Sequence, residues 1–235
     1  MKERPIHEDR LDATQWEVRA VETKIAQAVV IEKHYLHRRA SCSQAFGLYR
    51  KGDDEMRGVI MYGTPSNRNL RTGICGPSEQ LNVTELTRLW VDDSAPRNGE
   101  SFLIGRTLPL VTKEIVVSYA DPTQGHLGRV YQATNWLYTG LSAKRPEYTV
   151  EGLEHLHKQS LFDQLGRGGK GQVKKLESLY GDRLKRGQQV RKHRYVTFVA
   201  DRRRRRELRA LLRYPVLPYP KYATVDVDGN CSTGV

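Results

Sequence analysis

A carboxylate followed by proline closes an apolar, β-branched run, Ile115 to Asp121-Pro122. Such a run reads as a buried strand, and open α/β sheets bind ligands beyond the carboxyl ends of their strands. Asp121 is therefore a candidate acceptor or base; the alternative is a turn or N-cap aspartate. Arg88 lies mid-strand among apolar neighbours. A buried arginine needs a partner, which could be a cofactor, a phosphate or Glu85. His34 and Tyr35 are adjacent and point apart on a regular helix, whereas His34 and His37 share a side. A metal at His34 and Tyr35 would need the helix to end or distort there, with Asp121 as a third ligand. Tyr119, Trp136 and Tyr138 could stack on a base or simply pack.

The elements that must position these groups follow from periodicity. Trp16–Val21 reads as a strand and Glu22–Leu36 as a helix with Ile25, Val29 and Leu36 in register. Gln44–Arg50 and Arg57–Tyr62 form a hairpin across Lys51-Gly52-Asp53-Asp54. The Gly-, Pro-, Asn- and Ser-rich stretch 63–77 reads as a long loop. Glu85–Val91 is a central strand and Glu100–Glu114 a helix kinked at Pro109. Ile115–Tyr119 is a buried strand, Gly125–Trp136 a helix and Leu137–Leu141 a short strand. This order implies an α/β (α+β) fold, a mixed sheet covered by helices.

The organisation expected is a flexible tail over 1–13, a catalytic core over 14–143, a basic elaboration over 144–213, and an extended tail over 214–235. Within the elaboration, Tyr148–Leu156 reads as a hairpin around Glu151-Gly152, Val173–Leu184 as a basic helix, Tyr195–Val199 as a strand returning to the core, and Arg202–Arg213 as an Arg-rich helix.

Charge concentrates in that elaboration. The chain carries a formal charge of +12, and the stretch from Lys144 to Arg213 holds roughly twenty cations against roughly eight acids. Phosphate neutralisation is the natural use of such a surplus. Candidate contacts to double-stranded DNA are Lys170 in a Gly-rich loop, Lys174, Lys175, Arg191, Lys192 and Arg194. Arg202–Arg206 wraps a whole helix and cannot all face one phosphate track. His126, His155 and His157 read as structural or DNA-facing. No apolar run nears the about twenty residues that span a bilayer, and the charged start of the chain is no secretory signal. Cys42, Cys75 and Cys231 form no CxxC pair or disulfide pattern, which suits a reducing cytoplasm.

Several blocks carry a resemblance. SYADPTQGHLGRVYQATNWLYTG at Ser118–Gly140, KHYLHRR at Lys33–Arg39, AFGLY at Ala45–Tyr49 and ELTRLWV at Glu85–Val91 resemble the Mom family of bacteriophage DNA-modification proteins. KHRYVTF at Lys192–Phe198 belongs with them. The resemblance implies a divergent GNAT-type acyltransferase core that adds a small acetamido-like group to N6 of adenine, shielding phage DNA from restriction in the host cytoplasm. It implies a catalytic set of Tyr35, Arg88, Asp121 and Tyr131, with His34 beside Tyr35. It also implies iron at His34, Tyr35 and Asp121.

In a GNAT core an acyl-CoA such as acetyl-CoA lies where two parallel strands splay, with its pyrophosphate on a helix N-terminus. Arg97, Asn98, Gly99 and Ser101 occupy that position here, although the usual Gln/Arg-x-x-Gly-x-Gly/Ala signature is absent and Glu100 would repel phosphate. In GNAT-like enzymes a tyrosine placed like Tyr131 protonates a leaving thiolate; otherwise it is a core tyrosine. Adenine N6 is a poor nucleophile inside a base stack, so its modification needs extrusion and help with proton loss. Two other classes fit parts of the chain. Asp121-Pro122 faintly echoes the amine-gripping motif of adenine N6-methyltransferases, without their glycine loop for the methyl donor. The basic region alone would suit a non-catalytic DNA-binding protein.

Overall fold

The computed structural model describes residues 10–153, 156, 161–162, 164–165 and 171–221, with backbone alone at 224–225 and 231–232. Fifteen elements build it: β1 (Trp16–Ala20), α1 (Thr23–Lys33), β2 (Gln44–Arg50), β3 (Gly58–Gly63), α2 (Arg68–Cys75), β4 (Val83–Val91), α3 (Gly99–Thr107), β5 (Ile115–Ala120), α4 (Arg129–Ala133), β6 (Leu137–Leu141), β7 (Pro146–Val150), α5 (Gln172–Tyr180), β8 (Leu184–Gln188), β9 (His193–Phe198) and α6 (Arg202–Leu211).

Seven strands form one sheet in the order β1-β2-β3-β4-β5-β9-β6. Its neighbours are antiparallel except for β4 and β5. That parallel pair is brief: Val83, Thr84 and Glu85 match Ile115, Val116 and Val117, and the ladder then stops. Beyond Glu85 the two strands part, and a side chain enters the gap: Ser118 Oγ donates to Leu86 O at 2.9 Å.

The sheet is apolar on both faces, so helices must cover both. Val59 and Met61 of β3 pack with Ala45, Ala26 and Val30 under α1. The alternate residues Ile60 and Tyr62 pack with Leu48, Leu103 and Ile104 under α3. Leu103 and Ile104 are fully buried, each contributing about 1.5–3 kcal/mol. Ile115, Val117, Val196 and Phe198 lie against Leu70, Ile74 and Cys75 of α2 and Leu208 of α6.

Several expectations need correction. The stretch 63–77 contains α2. The Asn67 side chain accepts from Asn69 N at its start, and Leu70, Ile74 and Cys75 form its buried stripe. Three apolar residues among loop-type neighbours hide that face in the sequence. The helix expected over Glu100–Glu114 ends at Thr107, and Pro109 sits in a 3-10 turn, Leu108–Leu110. The helix expected over Gly125–Trp136 shrinks to α4. Among the described residues no local hairpin forms at Glu151-Gly152; β7 pairs with the distant β8, Pro146 opposite Gln188 and Val150 opposite Leu184.

The segment between β6 and β9 is thus an excursion from the sheet with its own small core, Val150, Leu161 and Leu176. Lys170 and most of its glycine loop, with His155 and His157, lie outside the described residues. In α6, Arg204 turns inward to Glu79 at 2.8 Å and Glu114 at 3.0 Å, while Arg202, Arg203, Arg205 and Arg206 are exposed. The Pro-rich exit runs along β6, with Leu217 N donating to Tyr138 O and Tyr219 Oη to Trp136 O. No helix among the described residues is long and apolar enough to cross a membrane.

One glycine controls how closely α4 approaches the sheet. Gly128 has φ +75°, and a Cβ there would stand 2.4 Å from Tyr195 Cε2. Gly128→Ala is therefore expected to destabilise the fold by about 2–3 kcal/mol, through ring displacement and left-handed strain. A lowered urea midpoint at unchanged slope would show it.

Candidate active site

A cavity of about 560 Å³ opens where β4 and β5 part. His34, Tyr35, Arg88, Asp121 and Tyr131 all line it, brought from the end of α1, the middle of β4, the end of β5 and α4. The gap is made by the short parallel ladder, so the cavity follows from the topology.

α1 ends at Lys33, and His34 already has extended backbone (ψ 138°). This break lets two adjacent residues turn to one side. The His34 and Tyr35 rings stack with centroids 4.4 Å apart, and Tyr35 meets His126 edge-on at 6.0 Å. His126, read from sequence as structural or DNA-facing, thereby joins the cavity wall. Burial and the Arg88 charge lower the His34 pKa to about 4, so its imidazole is neutral at physiological pH.

Arg88 is buried. Nη1 donates to Thr87 O at 2.7 Å and Nη2 reaches Arg39 O at 3.4 Å, while Nε has no hydrogen-bond partner. Burial and the Arg38 charge lower its pKa. Glu85, the partner considered from sequence, makes no ion pair with it among the described contacts, although each charge acts on the other.

Asp121 lines the cavity and also caps a turn. Oδ1 accepts from Thr123 N at 3.1 Å and Thr123 Oγ1 at 2.6 Å, capping a 3-10 turn. Oδ2 takes an ion pair from Lys192 at 2.6 Å. Burial pushes its pKa up, but Lys192 and Thr123 outweigh this and hold it below the ordinary value. Asp121 is thus a preset carboxylate.

Tyr131 is buried at the floor, and its hydroxyl lies 2.8 Å from Ser118 Oγ. Ser118 donates to Leu86 O, so in this arrangement it accepts from Tyr131. Burial raises the phenol to about pKa 12, with Ser118 opposing the shift. Ser118 can turn and donate to the oxygen when the proton leaves.

The four residues expected to hold a pyrophosphate do not line the cavity. Arg97 is exposed, and its carbonyl accepts from Leu11 N at 3.0 Å. Asn98 has φ +70° and Ser101 Oγ bonds back to Asn98 O. Gly99 is buried against Val91, where a Cβ would stand 3.0 Å from Cγ1, so it seats α3 on β4. Glu100 is the residue of that turn reaching the cavity. This helix start, with an acid in its first turn, is poorly matched to a pyrophosphate.

The set implied for iron is brought together. His34, Tyr35 and Asp121 share the cavity, but Leu36 N occupies His34 Nδ1 at 3.1 Å, and both Asp121 oxygens are engaged. No three His, Cys, Asp or Glu side chains among the described residues could hold a metal ion.

The DNA candidates separate as well. Lys174 and Lys175 are exposed on α5. Arg191 is tied to Ser142 O and Leu141 O. Lys192 pairs with Asp121. Arg194 is buried, bonded to Thr139 and stacked 3.5 Å from the Tyr214 ring centroid. The last three are therefore structural or cavity groups rather than an exposed phosphate track.

Sequence reasoning missed Ser118 and undervalued Glu85. Glu85 stands on the last paired rung of the β4–β5 ladder. Burial raises its pKa to about 7 against the pull of Arg88, Lys192 and Arg145. The signal was an acid at the head of an apolar strand. Raised in the fold, this group favours folding below its unfolded pKa, and that contribution fades as pH rises through about 7. The fading amounts to about 3 kcal/mol. Glu85→Gln should therefore flatten the fall in stability between acid and neutral pH, as read by denaturation at several pH values.

A seven-stranded sheet opened by one splayed parallel pair, with a cavity at the opening, is the GNAT-type fold that the resemblance implies. The chain belongs to the Mom protein family, whose model matches residues 15–221. It is 30% identical over 213 residues to the methylcarbamoylase mom of Escherichia phage Mu, covering 87% of this chain and 83% of that protein. Similar solved structures include the ribosomal-protein-S5-alanine acetyltransferase of Vibrio fischeri, with TM-score 0.44 and 9% identity over 82% of this chain and 98% of that one. A GNAT-family acetyltransferase from Streptococcus pneumoniae gives TM-score 0.40 and 7% identity over 79% and 100%. The strand order and the splayed pair, not these loose superpositions, define the fold.

Proposed function

We propose that this protein transfers a methylcarbamoyl-type group to N6 of adenine in double-stranded DNA, in the cytoplasm of a phage-infected bacterium, and so protects that DNA from restriction. The observation that carries the reading is the convergence of Tyr35, Arg88, Asp121 and Tyr131 on one cavity at the splayed pair. The name of the phage Mu relative supplies the group.

A methylcarbamoyl group is joined through a carbonyl carbon, so its transfer is acyl-type chemistry. An acyl-CoA-type donor would supply that carbonyl on a leaving group. Acetyl-CoA itself lacks the nitrogen between methyl and carbonyl, so the donor must carry it or receive it beforehand.

This chain's residues supply the rest. Asp121, held as a carboxylate by Lys192, accepts a hydrogen bond from the extruded adenine amine and takes its proton as the N–C bond forms. Arg88 presents a guanidinium to the developing oxyanion. Tyr131 returns a proton to the leaving group, and the new phenolate is met by Ser118. Tyr35, stacked on His34, offers a ring face to the base. The exposed arginines of α6, with Lys174 and Lys175, would draw in the duplex.

Expression in a restriction-deficient bacterium tests this. Its plasmid should resist endonucleases whose sites contain adenine and remain open to those whose sites do not. Unchanged cleavage by every enzyme would contradict the proposal.

A further inference from the structure

A second cavity, of about 360 Å³, lies beside the first. Glu85, Tyr119, Arg38 and Lys192 belong to the walls of both. Its own contributions include Arg145, Arg194, Asn69 and Gln189. Four cations therefore face one carboxylate in its walls, Glu85.

The charge is unusual because part of it is buried. Arg194 is 7% exposed and has no ion pair among the described contacts. Its Nε and Nη2 donate to Thr139, and its face lies on the Tyr214 ring. Burial lowers its pKa. Lys192 spends its charge on Asp121. Arg145 is exposed, and its charge reaches both Glu85 and Tyr119 across the cavity. A buried guanidinium without a carboxylate is costly until an anion enters. Amide side chains beside guanidinium donors also suit a phosphate oxygen better than an apolar ligand.

The position narrows the class of anion. The cavity adjoins the site across a shared wall that includes Glu85 and Lys192, the residue that sets Asp121. A nucleotide whose base points toward Asp121 and Tyr131 must leave its sugar-phosphate somewhere adjoining.

We propose that the second cavity is the seat of the phosphate attached to the extruded nucleotide, held by Arg145 and Arg194. This rests on the adenine-modification reading of the first cavity. It separates two tasks: exposed cations gather the duplex, and this cavity fixes the register of one nucleotide, so that its amine meets Asp121.

Deoxyadenosine, deoxyadenosine 5′-monophosphate and deoxyadenosine 3′-monophosphate are the probes, titrated into the full-length protein by NMR. One monophosphate should bind at least about tenfold more tightly than the nucleoside, the size of a charge-assisted contact. Arg145→Ala, at an exposed position, should erase that difference and leave nucleoside binding unchanged. Lys51→Ala, at the exposed turn after β2, should leave the difference intact. Equal or undetectable binding of all three probes to the wild-type protein overturns the proposal, as does a difference that survives Arg145→Ala. Nucleoside analysis of DNA from expressing cells separates the two readings. An adenine adduct without phosphate preference sinks the seat alone. Phosphate preference without an adduct sinks the enzymatic reading and leaves the seat.

Discussion

Tyr131→Phe should lower the rate of adenine modification by about two to three orders of magnitude while leaving the fold intact. The ring remains, so its packing against Trp136 and Tyr195, with centroids 5.1 Å away in each case, is preserved. What is lost is one hydroxyl, bonded to Ser118. If Tyr131 were only a core residue, the change would cost about 1 kcal/mol of stability and no rate. Single-turnover kinetics on a defined duplex distinguish the two. The rate should drop with duplex affinity unchanged, and a donor with a more acidic leaving group should recover part of the loss, since it needs less protonation.

Asp121→Asn should abolish modification to the limit of detection, a loss of about a thousandfold or more, with duplex binding retained. The amide keeps the size of the side chain and can still accept from Thr123. It cannot hold the Lys192 ion pair or take a proton. The carboxylate is already ionised well below neutrality, so the wild-type rate should show no inflection from Asp121 near pH 7. A non-catalytic DNA-binding protein would show no chemical consequence of this substitution. Electrophoretic mobility shift and nucleoside analysis on the same preparation keep binding and chemistry apart.

Much of the architecture was legible because hydrophobic periodicity reports burial. The run Ile115–Tyr119 announced β5, which extends one residue further to Ala120, and Gln44–Arg50 matched β2 residue for residue. The distance between β7 and β8 was not legible. Tyr148–Val150 alternates like a hairpin arm, but its partner lies beyond α5, and pairing across such a separation leaves no local mark. The helix α2 was hidden because propensity favoured a loop and packing against Ile115 and Leu208 overrode it.

The candidate site divides the same way. Asp121, Tyr131, Arg88 and Tyr35 were identified through residue type and resemblance, and the structure brings them to one cavity. The pyrophosphate group at Arg97–Ser101 was inferred from its place after β4, and the loop instead folds back onto Leu11. Arg194 and Lys192 looked like surface cations because sequence carries charge but not depth. Arg194 is buried because β9 enters the sheet between β5 and β6, and Lys192, just before β9, turns to Asp121. The importance of Glu85 depends on where a parallel ladder stops, and that is a property of two strands together.

The central claim is that this cavity places a methylcarbamoyl-type group on adenine. Mass analysis of nucleosides, from DNA of cells making either the wild-type protein or Asp121→Asn, addresses it most directly. The account predicts a deoxyadenosine heavier by a methylcarbamoyl group in the first sample and its absence from the second. Unaltered deoxyadenosine with the wild-type protein, a gain of only a methyl, or an adduct that persists in the variant would contradict it.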